Sequence, residues 1–509
     1  EKISDDRVII HIKVDEGKPY YLGNITFAGN SVFTSEQLAR VFSYKTGDRY
    51  DAVGINKKVT GSEKDDDIKT LYMDDGYLFA SVIPIEKNIQ DDVIDLEIKI
   101  NEGTQATINR VTISGNTEAH DHILYRELRT QPGDLFSKSN IKRTMYELAA
   151  TSYLEPTQIV PDVQPNFENN TVDINWKVAP KSSSQVELQG GYGGGTFIGT
   201  LGLTFGNFSI GNIFNRKAWK PVPLGDGQQL SIRAQAGYGY QNYSFSFVEP
   251  WIGGKRPTSL STSFYYSRYN YRDNHNERIK LNIIGGSVGM SKLLTWPDDY
   301  FRLSHSISFQ QYDYENYNLF TAGNINYSNG KSNNINYTIG LSRNSAGPNQ
   351  IFPQGGSDFS VNATMTFPYS LVNNKDYKKL SPQEKIEWLE YYKIKVKGNW
   401  YKELIGKLVG RLGAEFGYLG SYNHDIGTIP FERFYIGGTG LMQQRFDGRE
   451  IIPLRGYEDS TNSGGRVNED ITPEGGGAIY NKFLFELRYP ITMSQTANIF
   501  ALALSLIHI

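Results

Sequence analysis

Cysteine is absent from all 509 residues, so no disulfide framework, thiolate metal site or cysteine nucleophile is possible. Histidine is scarce: only seven occur, and the one close pair, His120 and His122 around Asp121, has no further ligand at metal-site spacing. Asp65-Asp66-Asp67 lacks the glycine and the distal glutamate of a calcium loop. No metal and no cofactor is expected. Long apolar runs are missing too; none approaches the ~20 residues of a spanning helix. A closed β-barrel is therefore the one way this chain could cross a bilayer, because lipid offers no partners for an open sheet edge. Neither charge dominates, with 52 Lys+Arg against 55 Asp+Glu, and no nucleic-acid partner is expected. The glycine run at 190–195 is not followed by the strand-to-helix turn and Lys-Ser/Thr of a phosphate loop; it reads as a loosening of the first barrel strand. No nucleophile–base pairing is legible, and an enzyme is not expected.

What is present begins with a repeat. Phe27-Ala28-Gly29-Asn30 recurs as Ile113-Ser114-Gly115-Asn116, Gly47-Asp48-Arg49-Tyr50 as Gly133-Asp134-Leu135-Phe136, and Glu16-Gly17 as Glu102-Gly103. All three share one offset (115 − 29 = 133 − 47 = 102 − 16 = 86), so the segment is a duplicated module. Each copy reads strand, helix, helix, strand, strand. In the first, Ile25 and Phe27 alternate before the Gly29 turn. Thr34 or Ser35 caps a helix over Leu38, Val41 and Phe42. A second helix carries Ile68, Leu71 and Tyr72 and stops at Gly76, and Val93 to Ile100 alternates again. In the second copy Val111 and Ile113 form the strand, with helices through Ile123 and Leu124 and from Ile141 to Leu148. The pattern resembles the POTRA module of outer-membrane translocation proteins. Its small sheet has edges that can accept an incoming strand through main-chain hydrogen bonds, although a spacer domain would read the same way.

From Gln185 onward helical spacing nearly vanishes, and segments of ~10 alternating residues follow one another, the length of a tilted spanning strand. Leu230, Ile232, Ala234, Ala236, Tyr238 and Tyr240 share a face opposite Ser231, Arg233 and Gln235. Leu303, His305, Ile307 and Phe309 alternate with serines; Leu408, Leu412, Ala414, Phe416 and Tyr418 with Arg411 and Glu415; Phe483, Phe485, Leu487 and Tyr489 with Glu486 and Arg488. Tyrosines collect at strand ends (Tyr238, Tyr240, Tyr243; Tyr312, Tyr314, Tyr317), as in an interfacial aromatic girdle. Thirteen strands are predicted, near 184–192, 197–207, 228–240, 242–249, 257–271, 279–291, 300–314, 332–343, 357–368, 391–401, 407–419, 478–489 and 497–504. With the amino end in the periplasm, the largest outside connection runs from about 420 to 477.

That connection holds Phe431-Glu432-Arg433-Phe434-Tyr435-Ile436-Gly437-Gly438 and then Leu454-Arg455-Gly456-Tyr457. Together they resemble the sixth extracellular loop of the BamA-type outer-membrane protein assembly factors, and the resemblance extends over essentially the whole chain. It implies a fold of α+β POTRA modules (βααββ) followed by an antiparallel transmembrane β-barrel. Residues 1–16, with a strand over Val8 to Val14, would end a preceding module; 17–103 and 104–181 would be two POTRA modules; and 182–509 would be the barrel, with about 13 of the family's 16 strands. It also implies that the loop folds into the lumen, where Arg455 pairs with Glu486, which alternation independently turns to the polar face. The implied partners are unfolded outer-membrane proteins, accessory assembly lipoproteins and outer-membrane lipid. The implied location is the outer membrane, with the modules in the periplasm. The implied activity is folding and insertion of barrel proteins at a seam beside the first strand. The alternatives are a polypeptide-secretion pore of the same superfamily, a passive porin or a periplasmic binding scaffold. Two departures stand out. The chain begins in mid-strand and lacks the family's last strands, so the barrel is not expected to close. And the family's second acidic partner would fall just past Ala503, where the chain reads Leu504-Ser505-Leu506-Ile507-His508-Ile509.

Overall fold

The computed structural model describes residues 17–62, 65–193, 196–253, 257–272, 277–316, 328–346, 351–436, 450–454, 476–493 and 498–508, with a few shorter pieces. Residues 9–16, which carry most of the strand expected over Val8 to Val14, lie outside them. Two compact units result, Glu1–Lys181 and Ser182–Ile509.

In the first unit, each repeat makes a three-stranded sheet in the same order. Tyr21–Ala28 runs parallel to Val93–Asn101, and Ser81–Gln90 pairs antiparallel on its other side. Thr107–Ser114, Thr171–Lys177 and Val160–Asn166 repeat the arrangement. The central strand alternates because only one of its faces is roofed by helices: Leu96, Ile98 and Ile100 are buried with Leu38, Phe42, Ile55 and Tyr72. Trp176 takes the matching position in the second repeat, fully buried with Ile123, Leu124 and Leu148. The two turn glycines coincide in detail. Gly29 and Gly115 sit at φ +88° and +93°, and a Cβ on either would meet a carbonyl oxygen of the last strand, Ile100 or Val178, at 2.1 Å. Only glycine fits there.

One correction concerns the first copy, which has three helices where two are predicted. Ser35–Phe42 is capped by Thr34 through a capping box, and Ile68–Asp74 is the second predicted helix, but Ala52–Thr60 lies between them. Its pattern is weak because only Ile55 and Val59 are buried among polar neighbours. In the second copy one continuous helix, Lys138–Ala149, fills that stretch. The Asp run has structural duties: Asp67 caps Ile68–Asp74, Asp66 pairs with Lys58 at 2.6 Å, and Asp65 reaches Lys138 of the second repeat at 2.8 Å and also Lys142. Asp74 accepts from the Ser139 main chain at 2.7 Å, capping the neighbouring repeat's helix, while Phe79 packs on Phe167 with ring centroids 4.7 Å apart.

The second unit is a thirteen-stranded antiparallel sheet in which every strand pairs with its chain neighbours, from Ser184–Gly193 to Asn498–His508. Among the described residues, those two edge strands are paired on one side only. The apolar face is turned outward: Ile232, Ile307, Leu412, Phe483 and Phe485 are 45, 61, 55, 48 and 43% exposed, as a lipid-facing belt requires. The predicted girdle needs correction. Tyr238 and Tyr243 are exposed, but Tyr240, Tyr312 and Tyr314 are buried on the inner face, and Tyr317 lies outside the described residues. Tyr240 changes face because the strand stops at Gly237 and the turn through Gly239 starts a new one. Tyr312 and Tyr314 fall in phase with the serines of their own strand. They face inward, where their rings meet packed protein rather than headgroups.

Candidate functional site

Three neighbouring strands give the inner face its charge. Alternation on Tyr392–Ile405 sends Lys393, Lys395, Lys397, Asn399 and Tyr401 inward. Leu408–Gly420 adds Arg411, Gly413, Glu415 and Gly417, and Ile479–Met493 adds Tyr480, Lys482, Glu486 and Arg488. Register sets the pairs: Arg411 stands opposite Glu486 and Glu415 opposite Lys482. Glu486 is 5% exposed, and its Oε2 accepts from Arg411 at 3.0 Å and from Arg488 at 2.8 and 2.5 Å. Asn399 Oδ1 accepts two further bonds from Arg411 at 3.0 and 2.7 Å, and the Tyr401 ring lies under both guanidinium groups at 5.8 and 5.6 Å. Glu415 sits between Lys397 and Lys482 at 3.7 and 3.6 Å. Glu486 and Glu415 thus each have two cations beside them, which a restricted, partly dry space favours.

The long connection folds against this face. Phe431 is 1% exposed, its ring 4.9 Å from that of Tyr312 and 5.7 Å from that of Tyr314. Leu454, also 1% exposed, joins the same buried cluster with Phe434, Ile436, Ile452, Leu389, Tyr391 and Tyr480. Two limbs of the connection, Phe434–Ile436 and Glu450–Ile452, pair in parallel, and Phe434 exchanges main-chain bonds of 2.9 and 2.8 Å with Gly477. Gly417 makes the room: a Cβ there would strike the rings of Tyr480 and Phe434 at 2.2 and 2.8 Å.

Both limbs also meet Lys393, which is 5% exposed. Its ammonium donates to the Glu432 carbonyl at 2.8 Å and to Glu432 Oε2 at 3.0 Å, and it lies 2.6 Å from Glu450 Oε2 and 4.7 Å from the Phe434 ring centroid. Tyr391 and Asn334 donate to the other Glu432 oxygen at 3.0 and 3.4 Å, and Lys395 to Glu450 at 3.0 Å. Burial alone would push the Glu450 carboxyl up, but Lys393 and Lys395 override it and hold it below the ordinary range.

Of the residues singled out in the sequence, the structure brings Phe431 and Leu454 into one cluster and buries Glu486 between two arginines. Gly437, Gly438, Arg455, Gly456 and Tyr457 lie outside the described residues. Arg411, Arg488, Lys393, Glu432 and Glu450 were not recognised as site residues. Alternation already turned Arg411 inward, but pairing it with Glu486 needs the register across the long connection. Leu504 stands opposite Glu486 on the last strand of the sheet, which runs to His508 rather than ending near 504.

Residues 223–506 match the Omp85 superfamily domain, and residues 20–103 and 106–181 each match the surface antigen variable number repeat, the POTRA module. The outer membrane protein assembly factor BamA of Nitratidesulfovibrio vulgaris is 27% identical over 291 residues, covering 56% of this chain and 33% of that protein. BamA of Neisseria meningitidis serogroup B is 23% identical over 470 residues, covering 89% and 52%. The chain thus spans between a third and about half of the length of these relatives. Among solved structures, CdiB from Escherichia coli shares the fold, with a TM-score of 0.50 at 12% identity over 97% of this chain and 81% of that one. The Omp85 domain covers more than half of the chain, behind two POTRA repeats, and the chain belongs to the Omp85 superfamily.

Proposed function

We propose that this chain is the central part of an outer-membrane barrel-assembly factor, residing in the outer membrane with its repeats in the periplasm. The observation that carries the reading is the docked connection: the loop bearing Leu454-Arg455-Gly456-Tyr457 turns back onto the charged inner face, behind a pair of POTRA repeats. The repeats' edge strands, Ser81–Gln90 and Val160–Asn166, offer main-chain groups to unfolded outer-membrane proteins with little demand on sequence. The first barrel strand, Ser184–Gly193, is weakened by its glycines and templates an incoming strand at the seam, next to outer-membrane lipid. Accessory assembly lipoproteins are the remaining partners. No covalent step enters this reading. A passive porin is disfavoured by the packed cluster of Phe431, Phe434, Leu389 and Tyr391, which lies where water would pass.

The test is the whole protein in vesicles, given a urea-unfolded outer-membrane barrel protein. Faster folding than in protein-free vesicles, read by heat-modifiable gel mobility, is expected. Unchanged folding rates would refute the reading, and delivery of the substrate into the vesicle interior would favour a secretion pore. In the same assay Arg455→Glu is expected to slow assembly, because it would turn a second carboxylate toward Glu486, and Arg455→Lys to keep part of it. Assembly unchanged in Arg455→Glu would remove the Arg455–Glu486 pair from the account while leaving the activity itself standing.

A further inference from the structure

The described limbs of the loop meet an electrostatic hold of their own at Lys393. Lysine has three N–H donors and no acceptor, and three acceptors surround Lys393 Nζ: the Glu432 carbonyl, Glu432 Oε2 and Glu450 Oε2. Glu432 precedes the first limb and Glu450 opens the second, so one cation on a barrel strand ties down two chain segments 18 residues apart (450 − 432). Nothing in a single segment's sequence requires this, and a solvated lysine would not need it. A lysine buried to 5% exposure does, because its charge must be met where water is excluded.

We infer that Lys393 is the positioning residue that docks the lumen loop, clasping both of its limbs so that the segment from Glu450 to Leu454 is held against the inner face. The inference deepens the proposed function and rests on the same loop, but it concerns loop position alone. If the cation is removed, the Glu432 and Glu450 carboxylates face each other with Lys395, Tyr391 and Asn334 as their remaining partners among the described residues. Glu432 is still held by Tyr391 and Asn334 and Glu450 by Lys395, so the limbs should separate from each other rather than unfold. Lys395, at the outer edge of the cluster and 39% exposed, can be changed with less effect because water can replace it.

The absence of native cysteine makes the experiment clean. A single cysteine at Ile452, 5% exposed on the second limb, is labelled with an aqueous thiol reagent in the whole protein reconstituted in vesicles without substrate. Barrel folding is checked separately by heat-modifiable mobility. In the parent the cysteine should be protected. In Lys393→Met labelling should rise by about tenfold or more, since orphaned buried carboxylates are poorly tolerated. In the triple variant Lys393→Met, Glu432→Gln, Glu450→Gln protection should return, because no buried carboxylate is left unpaired and the charge that loses its partner, Lys395, is 39% exposed and met by water. Protection unchanged in a folded Lys393→Met barrel would overturn the inference. So would a folded triple variant as exposed as the single one, which would assign docking to packing. Should Lys393→Met not fold, recovery of folding and protection in the triple variant supports the clasp, and failure of both variants to fold overturns it. Labelling involves no substrate, so its outcome is independent of whether the protein assembles barrels.

Discussion

Two junctions in this molecule set lysine against carboxylate to hold one segment to another, and they differ in how much water reaches them. At the joint between the repeats, Lys138 and Lys142 meet Asp65 with side chains 27 and 31% exposed. In the lumen, Lys393 meets Glu432 and Glu450 at 5% exposure. At the joint the packing of Met73, Leu78 and Phe79 against the second repeat's core and the cap from Asp74 do most of the holding, and the charges trim it. In the lumen the charges cannot be left unpaired, so they dictate where the loop sits. A single lost partner should therefore matter far more in the lumen than at the joint, and the variants below rank that difference.

The largest effect is expected from Phe431→Ala. It empties the space between Tyr312 and Tyr314 and should cost ~3–5 kcal/mol of loop docking, by the usual cost of deleting a buried aromatic ring. Hydrogen exchange over 429–436 reads it, and unchanged protection would mean that the cluster does not hold the loop. Glu486→Gln comes next. It leaves Arg411 and Arg488 with no carboxylate between them. The ~3–5 kcal/mol of a fully dry site is an upper bound here, because lumen water raises the effective dielectric. A lowered unfolding midpoint by heat-modifiable mobility is expected.

At the joint, Asp74→Ala should cost about 1 kcal/mol, the usual worth of a helix cap. It would be seen as faster exchange at the start of Lys138–Ala149, and an effect as large as that of Glu486→Gln would erase the contrast between the junctions. Asp65→Asn should be smallest of all. Burial alone would raise the Asp65 carboxyl, but the Lys138 and Lys142 ammonium groups hold it below the ordinary carboxylate range. A lowered folded value contributes stability above the unfolded one and loses it as pH falls through the folded one, so the joint should loosen only below about pH 4.

The strands were legible in sequence because period-two alternation is the same physical signal that pairing enforces. All thirteen predicted barrel strands are found, and the turn glycines of the repeats are where the shared offset puts them. What sequence could not resolve was which environment a face meets. Tyr312 and Tyr314 lie in phase with inward serines, yet tyrosine suits a headgroup belt and a buried cluster equally well, having an apolar ring and a polar tip. Lys393 looked like any inward polar residue until Glu432 and Glu450 arrived from a connection dozens of residues away. Glu486 was placed inward by alternation, but its nearest partners, Arg411 and Arg488, follow from register and from side-chain reach.

The central claim is that the connection carrying Phe431 and Leu454 is docked on the inner face, from which we propose that Arg455 reaches Glu486. A cysteine pair, Arg455→Cys with Glu486→Cys, tests it in intact outer membranes, because these 509 residues contain no other cysteine with which either could pair. The account predicts rapid oxidation to a cross-linked form, matched by a control pair at Phe431 and Tyr312. A control that cross-links while the 455–486 pair stays reduced and open to reagent from outside would contradict it.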